Sequence, residues 1–396
     1  MLRRGRIGDY QRMGYEPDTA STGGPRERRF AAFRRSERLL SGVRPQSIRE
    51  RLTALSALHE PSTDGAAVYD LDQSPDFYGD GLVRTLEGRV ADLLGKPDAL
   101  FFPTGTMAQQ VALRIWAERS GNHTVAMHPL AHTEVHERRA YARLSGLDAV
   151  WPTTGPRLPT ATELLDLGEN FGTLMVELPL RDVGFLLPTW PELVSLTAAA
   201  RERGAAVHLD GARLWESTSH LGRTLPQIAD LADSVYVSFY KTLGGISGAA
   251  LAGPEDFVRE ARSWRHRYGG QLFQQWPAAL AALAGLGSEL PRLDAYVAHA
   301  RTVAAALAEV PGARVFPEPP HTHQFQLWLP HPAKDLDEAG LRLAEEEGLA
   351  LFWGWSEPGL PGLAGHSMIE VTVAAEALDW TAKEITEAMA AFLALL

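Results

Sequence analysis

Short apolar segments alternate with amphipathic segments through most of this chain, and this alternation limits the possible folds more than any other feature. We predict buried strands in "ALFFP" (99–103), "TLMVELP" (173–179), "AAVHLDGARLW" (205–215) and "DSVYVSFYK" (233–241). Segments with apolar residues at helical spacing, such as "TLEGRVADLLG" (85–95), lie between them. Buried strands that alternate with helices are typical of a mostly parallel sheet covered by helices. The pattern therefore predicts an α/β fold.

The length of the chain and a change of pattern near residue 280 predict two domains. A chain of 396 residues exceeds the size at which single cores usually divide. Near the carboxyl terminus, "FQLWLP" and "MIEVTV" predict strands of a second, smaller domain. We expect an N-terminal arm over 1–55, a large α/β domain over 56–280 and a small α+β domain over 281–396. About the first 38 residues are polar and are expected to be coil.

Charge and composition exclude several classes of function. The net charge of −11 argues against nucleic acid or an anionic membrane as a partner. The chain has no cysteine, which excludes disulfides and thiolate metal sites. No run approaches the roughly 18 apolar residues of a membrane span, and the arginine-rich start lacks the apolar core of a signal peptide. We therefore expect a cytoplasmic protein with no membrane or nucleic-acid partner.

One lysine differs from the other three in a chain that uses arginine almost everywhere. Lys96, Lys334 and Lys383 lie in polar turns or among charges, whereas Lys241 follows an apolar strand and precedes a glycine-rich segment. A lysine that loses water at a strand end has a lowered pKa and a nucleophilic amine. Taken alone, the same position also fits a lysine whose stem packs on the protein while its ammonium group reaches water.

Two further segments indicate a cofactor that requires a lysine. Asp210 ends one predicted strand, and ligands of open α/β sheets bind beyond the carboxyl ends of strands. Gly105, Thr106 and Met107 begin a predicted helix, whose first N–H groups form an anion site. Pyridoxal 5'-phosphate needs a lysine for its Schiff base and a carboxylate at its pyridine nitrogen. The order of these segments indicates this cofactor, with Ser238 as a further phosphate donor.

Ser-x-x-Lys at residues 238–241 also occurs in serine hydrolases of the penicillin-binding type. In that interpretation Ser238 would be the nucleophile. Those enzymes also need Ser-Asp-Asn and Lys-Thr-Gly segments, whereas this chain has no Ser-Asp-Asn and reads Lys-Thr-Leu after the serine. Their motif begins a helix, and this one ends a predicted strand. We therefore set the hydrolase interpretation aside.

With these residues in place, the segment from Phe77 to Pro277 resembles the threonine aldolase and β-eliminating lyase family of fold-type I pyridoxal phosphate enzymes. Four blocks are similar to the family in the same order: "FYGDGLVRTLEGRVADLLGKPDALFFPTGTMAQQVAL", "HLDGARLWE", "SVYVSFYKTLGG" and "RSWRHRYGGQLFQQ". The resemblance implies a mostly parallel seven-stranded sheet, pyridoxal 5'-phosphate as cofactor and an amino acid as substrate. It also implies a homodimer or homotetramer with the active site at a subunit interface.

The resemblance implies a role for each matching residue. Lys241 would form the Schiff base, and Asp210 would bind the pyridine nitrogen. Gly105 and Thr106 would bind the phosphate. Arg213 would lie near the phenolic oxygen of the cofactor and the substrate carboxylate.

A histidine-rich segment completes the predicted site. His132, five residues before Glu137, matches the family's histidine that stacks on the cofactor. His132, or a water held by Glu137, would be the base. His128 and His136 flank His132, but "HTEVH" matches neither His-Glu-x-x-His nor His-x-x-Glu-His, and no third ligand is evident. We expect no metal.

Two positions depart from the family pattern. Threonine aldolases usually have a histidine, a candidate acid or base for the β-hydroxyl group, where this chain has Leu180. The family usually has an arginine for the substrate carboxylate near the carboxyl terminus, where this chain offers Glu370. Arg181 or Arg44 would then have to bind the carboxylate.

The expected reaction is cleavage of a threonine-like β-hydroxy-α-amino acid to glycine and an aldehyde. β-Elimination and transamination are alternatives, because the same cofactor supports all three reactions. A different alternative is a homologue that binds the cofactor without turnover.

Overall fold

The structure, a computed structural model, describes residues 25–59, 69–352, 354–357 and 362–396. Most of the predicted N-terminal coil lies outside these ranges, but its last part contains a helix and the start of a strand. In chain order the strands are β1 (Arg38–Leu39), β2 (Asp98–Phe102), β3 (Thr124–Ala126), β4 (Asp148–Val150), β5 (Thr173–Glu177), β6 (Ala206–Gly211), β7 (Ser234–Ser238), β8 (Ala249–Gly253), β9 (Arg314–Phe316), β10 (Gln324–Leu329), β11 (Leu349–Ala350) and β12 (Ser367–Thr372). The helices are α1 (Pro25–Arg35), α2 (Ile48–Ser56), α3 (Leu82–Leu94), α4 (Gly105–Ser120), α5 (His132–Val135), α6 (Ala140–Ser145), α7 (Ala161–Leu165), α8 (Trp190–Glu202), α9 (Thr218–Leu221), α10 (Leu225–Ala229), α11 (Glu255–Arg267), α12 (Trp276–Ser288), α13 (Leu293–Ala308), α14 (Ala333–Glu346) and α15 (Ala382–Leu393).

A seven-stranded sheet forms the centre of the larger of two compact units. Its strand order is β2-β8-β7-β6-β5-β3-β4, and β8 runs antiparallel to both of its neighbours. The pairings from β7 to β4 are all parallel. Every residue of β5, β7 and β8 is buried, which explains why these strands are apolar runs without alternation. The predicted α/β fold with a mostly parallel seven-stranded sheet is confirmed.

Helices cover the sheet and bury apolar stripes against it. In α3, Leu86, Val90 and Leu94 are fully buried, and the helix ends where Gly95 adopts a φ of 61°. That left-handed conformation favours glycine, so the sequence ends this helix. Among the described residues, no helix has both the length and the apolar character needed to cross a bilayer.

The larger unit comprises Gln46–Ala298 and Pro320–Gln324. The boundaries of this unit differ from the domain boundaries expected at residues 55 and 280, and the packing of one helix explains the difference. Helix α12 buries Leu280, Leu283 and Leu286 in the same apolar cluster as α3, which joins α12 to the larger unit.

The smaller unit comprises the described residues up to Pro45 together with His299–Pro319 and Phe325–Leu396. It contains the sheets β12-β10-β9 and β1-β11. Helix α1 belongs to this unit because Phe33 is buried among residues that include Leu341 of α14.

Candidate active site

The carboxyl ends of β5, β6 and β7 lie side by side and bring predicted site residues together. Glu177, the last residue of β5, pairs with Asp210 of β6, and Asp210 pairs with Tyr236 of β7. Lys241 follows the end of β7 by three residues. Because these strands are parallel, their final side chains and the loops after them meet at one edge of the sheet.

Lys241 is half-buried at this edge. Loss of water and the positive charge of Arg213 together lower the pKa of its amine to about 8, although Asp210 opposes the shift. A larger fraction of this amine is uncharged near neutral pH than of an ordinary lysine. A lowered pKa is the property that the sequence analysis expects of Lys241 as a nucleophile.

Asp210 and Glu177 form a buried pair of carboxyl groups. Burial raises the pKa of Asp210, while the positive charge of Lys241 opposes that shift. Burial and the charge of Asp210 raise the pKa of Glu177 to about 8. The backbone N–H of Ala212 donates to Asp210 at 3.2 Å. The positive charge of Lys241 favours the ionised form of Asp210, and the raised pKa of Glu177 favours its protonated form.

His132 and Glu137 lie next to each other, as their spacing predicts. The backbone N–H of His132 donates to Glu177 Oε2 at 2.7 Å, which attaches the start of α5 to the end of β5. The His132 ring nitrogen Nδ1 is 3.5 Å from Glu137 Oε1. The buried Glu137 also accepts a hydrogen bond from Gln110 Nε2 at 3.2 Å. An imidazole with a neighbouring carboxylate therefore lies near Asp210.

The other two histidines of this segment have different partners. His128 Nε2 lies 2.8 Å from the carbonyl oxygen of Gly155. His136 Nε2 lies 2.8 Å from Asp182 Oδ2. Among the residues that the structure describes, no three His, Asp or Glu side chains converge as a metal site would require.

The turn from β2 into α4 presents only part of the predicted phosphate site. Thr104 caps the helix, and its hydroxyl accepts the backbone N–H of Met107 at 3.3 Å. That N–H was expected to face the phosphate, but the cap already uses it. Gly105 and Thr106 begin the helix, where no intrahelical carbonyl can accept their N–H groups. Both residues lie at the helix start that the sequence predicts.

Gly105 is required by a close approach across the sheet. A Cβ atom at this position would lie 2.2 Å from the hydroxyl oxygen of Tyr236. Ser238 follows Tyr236 by two residues on the same side of β7, and its hydroxyl group is buried without a hydrogen-bond partner among the described residues. The structure therefore brings Ser238 and the start of α4 to the same side of the sheet.

Arg213 and Arg181 are the two arginines whose positive charges act on Lys241. The Arg213 guanidinium lies 5.3 Å from the centre of the Phe185 ring. The backbone N–H of Arg181 donates to Glu177 Oε1 at 3.2 Å. Both cations lie near the lysine, where they can attract an anionic substrate.

The positions that depart from the family pattern have clear structural roles. Leu180 is fully buried in the apolar core and forms a bridge with Leu186, so this position does not present a side chain to solvent. Arg44 is hydrogen-bonded to the carbonyl oxygen of Ser36 and lies 2.6 Å from Glu376, all within the smaller unit. Glu370 lies in β12 of the same unit.

Sequence reasoning missed Tyr236 and Gln110. Tyr236 packs against Gly105, and Gln110 orients Glu137. A signal for each is present in the sequence. Tyr236 precedes Ser238 at the two-residue period of a strand, and Gln110 is an amide within an apolar helix segment that the structure buries.

Residues 65–328 match the family model of the beta-eliminating lyases. The chain therefore belongs to the beta-eliminating lyase family, and it is an enzyme of the lyase class. The aldolase vrtJ of Penicillium aethiopicum is 33% identical over 282 residues, which are 68% of this chain and 69% of that protein. The low specificity L-threonine aldolase of Escherichia coli (strain K12) is 32% identical over 241 residues, which are 59% of this chain and 72% of the relative.

A solved structure from Listeria monocytogenes EGD-E, assigned as an L-allo-threonine aldolase, superposes with a TM-score of 0.84. It is 33% identical, and the match covers 94% of this chain and 100% of the other. The shared architecture is that of fold-type I pyridoxal phosphate-dependent enzymes, as the sequence predicts.

Proposed function

We propose that this protein is a pyridoxal phosphate-dependent aldolase that cleaves a β-hydroxy-α-amino acid to glycine and an aldehyde. The observation that carries the proposal is the position of Lys241, whose pKa is lowered to about 8, at the same sheet edge as Asp210. Two relatives named as aldolases support the class of substrate. The relative assigned as an L-allo-threonine aldolase supports it further.

The residues present fit this cofactor. The buried hydroxyl group of Ser238, which has no hydrogen-bond partner in the part of the chain that the structure describes, and the helix start at Gly105 offer donors to a phosphate on the same side of the sheet. Asp210 offers a buried carboxylate to the pyridine nitrogen. Lys241 offers an amine to the aldehyde group. Each of the three chemical ends of the group thus has a matching residue.

When bound, pyridoxal 5'-phosphate supplies an electron sink for bonds at the α-carbon of the substrate. Asp210 would keep the pyridine nitrogen protonated, because a buried carboxylate stabilises a neighbouring positive charge. Lys241 would hold the aldehyde end of the cofactor, and its amine, when free, would accept or return a proton.

Three further residues act on the substrate itself. Arg213 and Arg181 attract its carboxylate and replace the C-terminal arginine that the family pattern would supply. His132 removes the proton of the β-hydroxyl group, and Glu137, 3.5 Å from the ring, stabilises the imidazolium that forms. Loss of that proton allows the carbon–carbon bond to break and release the aldehyde.

The test begins with the full chain, reconstituted with pyridoxal 5'-phosphate and freed of excess cofactor. We expect a visible absorbance band and the release of glycine and aldehyde in equal amounts from L-threonine, L-allo-threonine or a phenylserine. Lys241→Ala should lose both the band and the activity. Lys383→Ala is the matched control, because Lys383 is 84% exposed and should be silent. Failure to form glycine from any of these substrates would overturn the aldolase proposal.

β-Elimination is the second candidate, and the burial of Leu180 favours it. With a leucine in the core at that position, the chain has no second base there for a β-hydroxyl group. Elimination needs only a base at the α-carbon and a leaving group at the β-carbon. Release of ammonia and a 2-oxo acid from substrates with a good β-leaving group would identify it. A 2-oxo acid without ammonia would identify transamination, and a band without turnover would identify a silent homologue.

We infer from the family that the protein forms a homodimer or homotetramer and acts in the cytoplasm. An exposed aromatic cluster in the larger unit supports association. The Phe77 and Tyr78 rings lie 4.9 Å apart, and Phe273 lies within 5.5 Å of both. Light scattering of the purified protein tests the assembly, and a monomeric mass would contradict it.

A further inference from the structure

Two hydrogen bonds attach the loop that carries Lys241 to the segment that follows β6. The indole N–H of Trp215 donates to the carbonyl oxygen of Ser238 at 3.0 Å. The hydroxyl group of Thr242 donates to Glu216 Oε1 at 2.9 Å. Trp215 and Glu216 are each 1% exposed, so water does not compete for these bonds. The two contacts bracket Lys241 from both sides.

The loop between these contacts is also shaped by its own backbone. The N–H of Gly245 donates to the carbonyl oxygen of Phe239 at 2.8 Å, and that of Gly244 donates to Lys241 at 3.1 Å. Helix α12 approaches so closely that a Cβ atom on Gly285 would lie 2.1 Å from the carbonyl oxygen of Leu243. The loop is thus compact, and Thr242 joins it to the neighbouring segment through a side chain.

Glu216 is an unusual residue for a purely structural contact. A buried carboxylate is costly unless polar or charged groups surround it. Its Oε1 atom lies 2.9 Å from Thr242 and 3.6 Å from Nε2 of His323, which is itself 2% exposed. An apolar residue would avoid the cost of burying a charge. We therefore attribute the carboxylate at this position to its hydrogen bond with Thr242 of the lysine loop.

We propose that Trp215 and Glu216 are positioning residues that hold Lys241 in register with Asp210 and Arg213. Apart from the lysine, every residue of this arrangement lies within residues 210–216, a stretch that begins in β6 and continues into the turn after it. Fixing the lysine loop to this stretch therefore fixes the amine relative to its carboxylate and its arginine. The use of this amine in catalysis rests on the proposed function, but its positioning does not.

A matched pair of variants at Thr242 tests the inference. Thr242→Val keeps the shape and removes the donor, whereas Thr242→Ser keeps the donor. Without the bond to Glu216 the loop loosens and water reaches Lys241, so its amine should titrate closer to the ordinary value. Trp215→Phe removes the hydrogen bond to the carbonyl oxygen of Ser238 while keeping an aromatic ring. This variant should also raise the pKa of the Lys241 amine towards the ordinary value.

The readout is the pH dependence of Lys241 acylation by acetic anhydride in the full chain, after dialysis against hydroxylamine. Peptide mass spectrometry follows Lys241, with the exposed Lys383 as an internal standard. We expect a midpoint near the value of about 8 for the natural protein and for Thr242→Ser. For Thr242→Val we expect a midpoint higher by about one pH unit, which corresponds to a tenfold change in the ionisation constant.

An unchanged midpoint in both Thr242→Val and Trp215→Phe, with thermal unfolding like that of the natural protein, would overturn the inference. This measurement needs neither bound cofactor nor turnover, so its failure is distinct from failure of the proposed aldolase. If the enzyme is active, Thr242→Val should lower kcat roughly tenfold with little change in KM, and Thr242→Ser should restore it.

Discussion

Glu177 and Asp210 occupy paired positions on β5 and β6, and both carboxyl groups are buried. Two adjacent buried acids repel each other when both are ionised. The site relieves this repulsion in two ways. Two backbone N–H groups donate to Glu177, whose pKa is raised to about 8, and the positive charge of Lys241 acts on Asp210. The sheet edge is therefore a set of coupled charges.

The stability of the protein should depend on pH through Glu177. Its pKa is about 8 in the folded protein and lies near the ordinary value of 4.5 when unfolded, so its stabilising contribution is complete below the unfolded value. That contribution is lost as the pH rises through about 8. Glu177→Gln cannot titrate, and it leaves one backbone N–H without an acceptor, at a cost of about 1–3 kcal/mol.

Thermal unfolding between about pH 5 and about pH 9 tests this dependence. We expect the natural protein to exceed Glu177→Gln in stability at the acid end and the difference to narrow as the pH rises. Parallel curves for the two proteins would contradict the raised pKa.

Two serines on β7 should respond differently to alanine. The buried Ser238 hydroxyl has no hydrogen bond of good geometry to the described residues, so Ser238→Ala should change the free energy of unfolding by less than about 1 kcal/mol. Ser234 Oγ accepts from the Trp116 indole at 2.8 Å and lies 2.8 Å from His208 Nδ1, so Ser234→Ala should cost about 1–3 kcal/mol.

Cofactor binding should show the reverse order. Ser238→Ala should lower the affinity for pyridoxal 5'-phosphate by about tenfold, and Ser234→Ala should leave that affinity unchanged. Urea denaturation and fluorescence titration measure the two quantities. Equal losses of stability in the two variants would argue that Ser238 is a structural residue.

Gly105→Ala should impair the phosphate turn through a steric clash. The new methyl group would lie 2.2 Å from the Tyr236 hydroxyl oxygen, so the helix start or the ring must move. We expect at least about a tenfold loss of cofactor affinity. Adding Tyr236→Phe should recover part of it, because the next atom is 3.1 Å away.

Gly88→Ala is the control for this prediction. Gly88 lies in α3, and no atom of the described residues would lie within 4 Å of a Cβ there, so alanine should stabilise the helix by about 0.5–1 kcal/mol. If Gly105→Ala binds the cofactor as well as Gly88→Ala does, the close approach has no functional role.

The buried pair Arg265 and Glu87 should be important for stability. Their side chains are 2% and 1% exposed and lie 3.6 Å apart. Arg265 donates to the carbonyl oxygen of Phe101 at 2.7 Å, and the backbone N–H of Phe101 donates to Glu87 at 2.9 Å. The pair therefore holds β2 just before the phosphate turn. Arg265→Met should cost up to about 3–5 kcal/mol in urea denaturation, since Glu87 loses its buried counter-charge and keeps only the half-exposed Arg84, 2.6 Å away.

Arg262→Met provides the comparison for Arg265→Met. Arg262 is 41% exposed and lies 3.9 Å from Asp98, so its loss should cost less than about 1 kcal/mol. Similar values for the two variants would show that burial does not strengthen the Arg265 contact. The double variant Arg265→Met/Glu87→Leu should recover part of the loss, because no charge is then left buried.

The sequence predicts those parts of the fold and site that depend on local pattern. The apolar strands that end at Asp210 and just before Lys241 signal both the parallel sheet and its functional edge. A glycine before a helix likewise signals the turn at Gly105. These features can be predicted because the period of a strand and the start of a helix depend on residues that are close together in the sequence.

Other features depend on which distant atoms meet, and the sequence does not reveal them. The capping of Met107 by Thr104 removes a donor that the pattern alone leaves available. The burial of Leu180 is set by the core around it. The bond between Thr242 and Glu216 joins two loops that are 26 residues apart in the chain. Such contacts follow from tertiary packing, which no local period encodes.

The strand order also has a consequence for recombination among related proteins. From Gly105 to Lys241, about a third of the chain supplies the helix start, the paired acids, both nearby arginines and the lysine loop. Crossovers outside that stretch would exchange the smaller unit while leaving these groups together. Chimeras made in this way are expected to inherit their cofactor contacts from a single parent, which makes each parent's contribution separable.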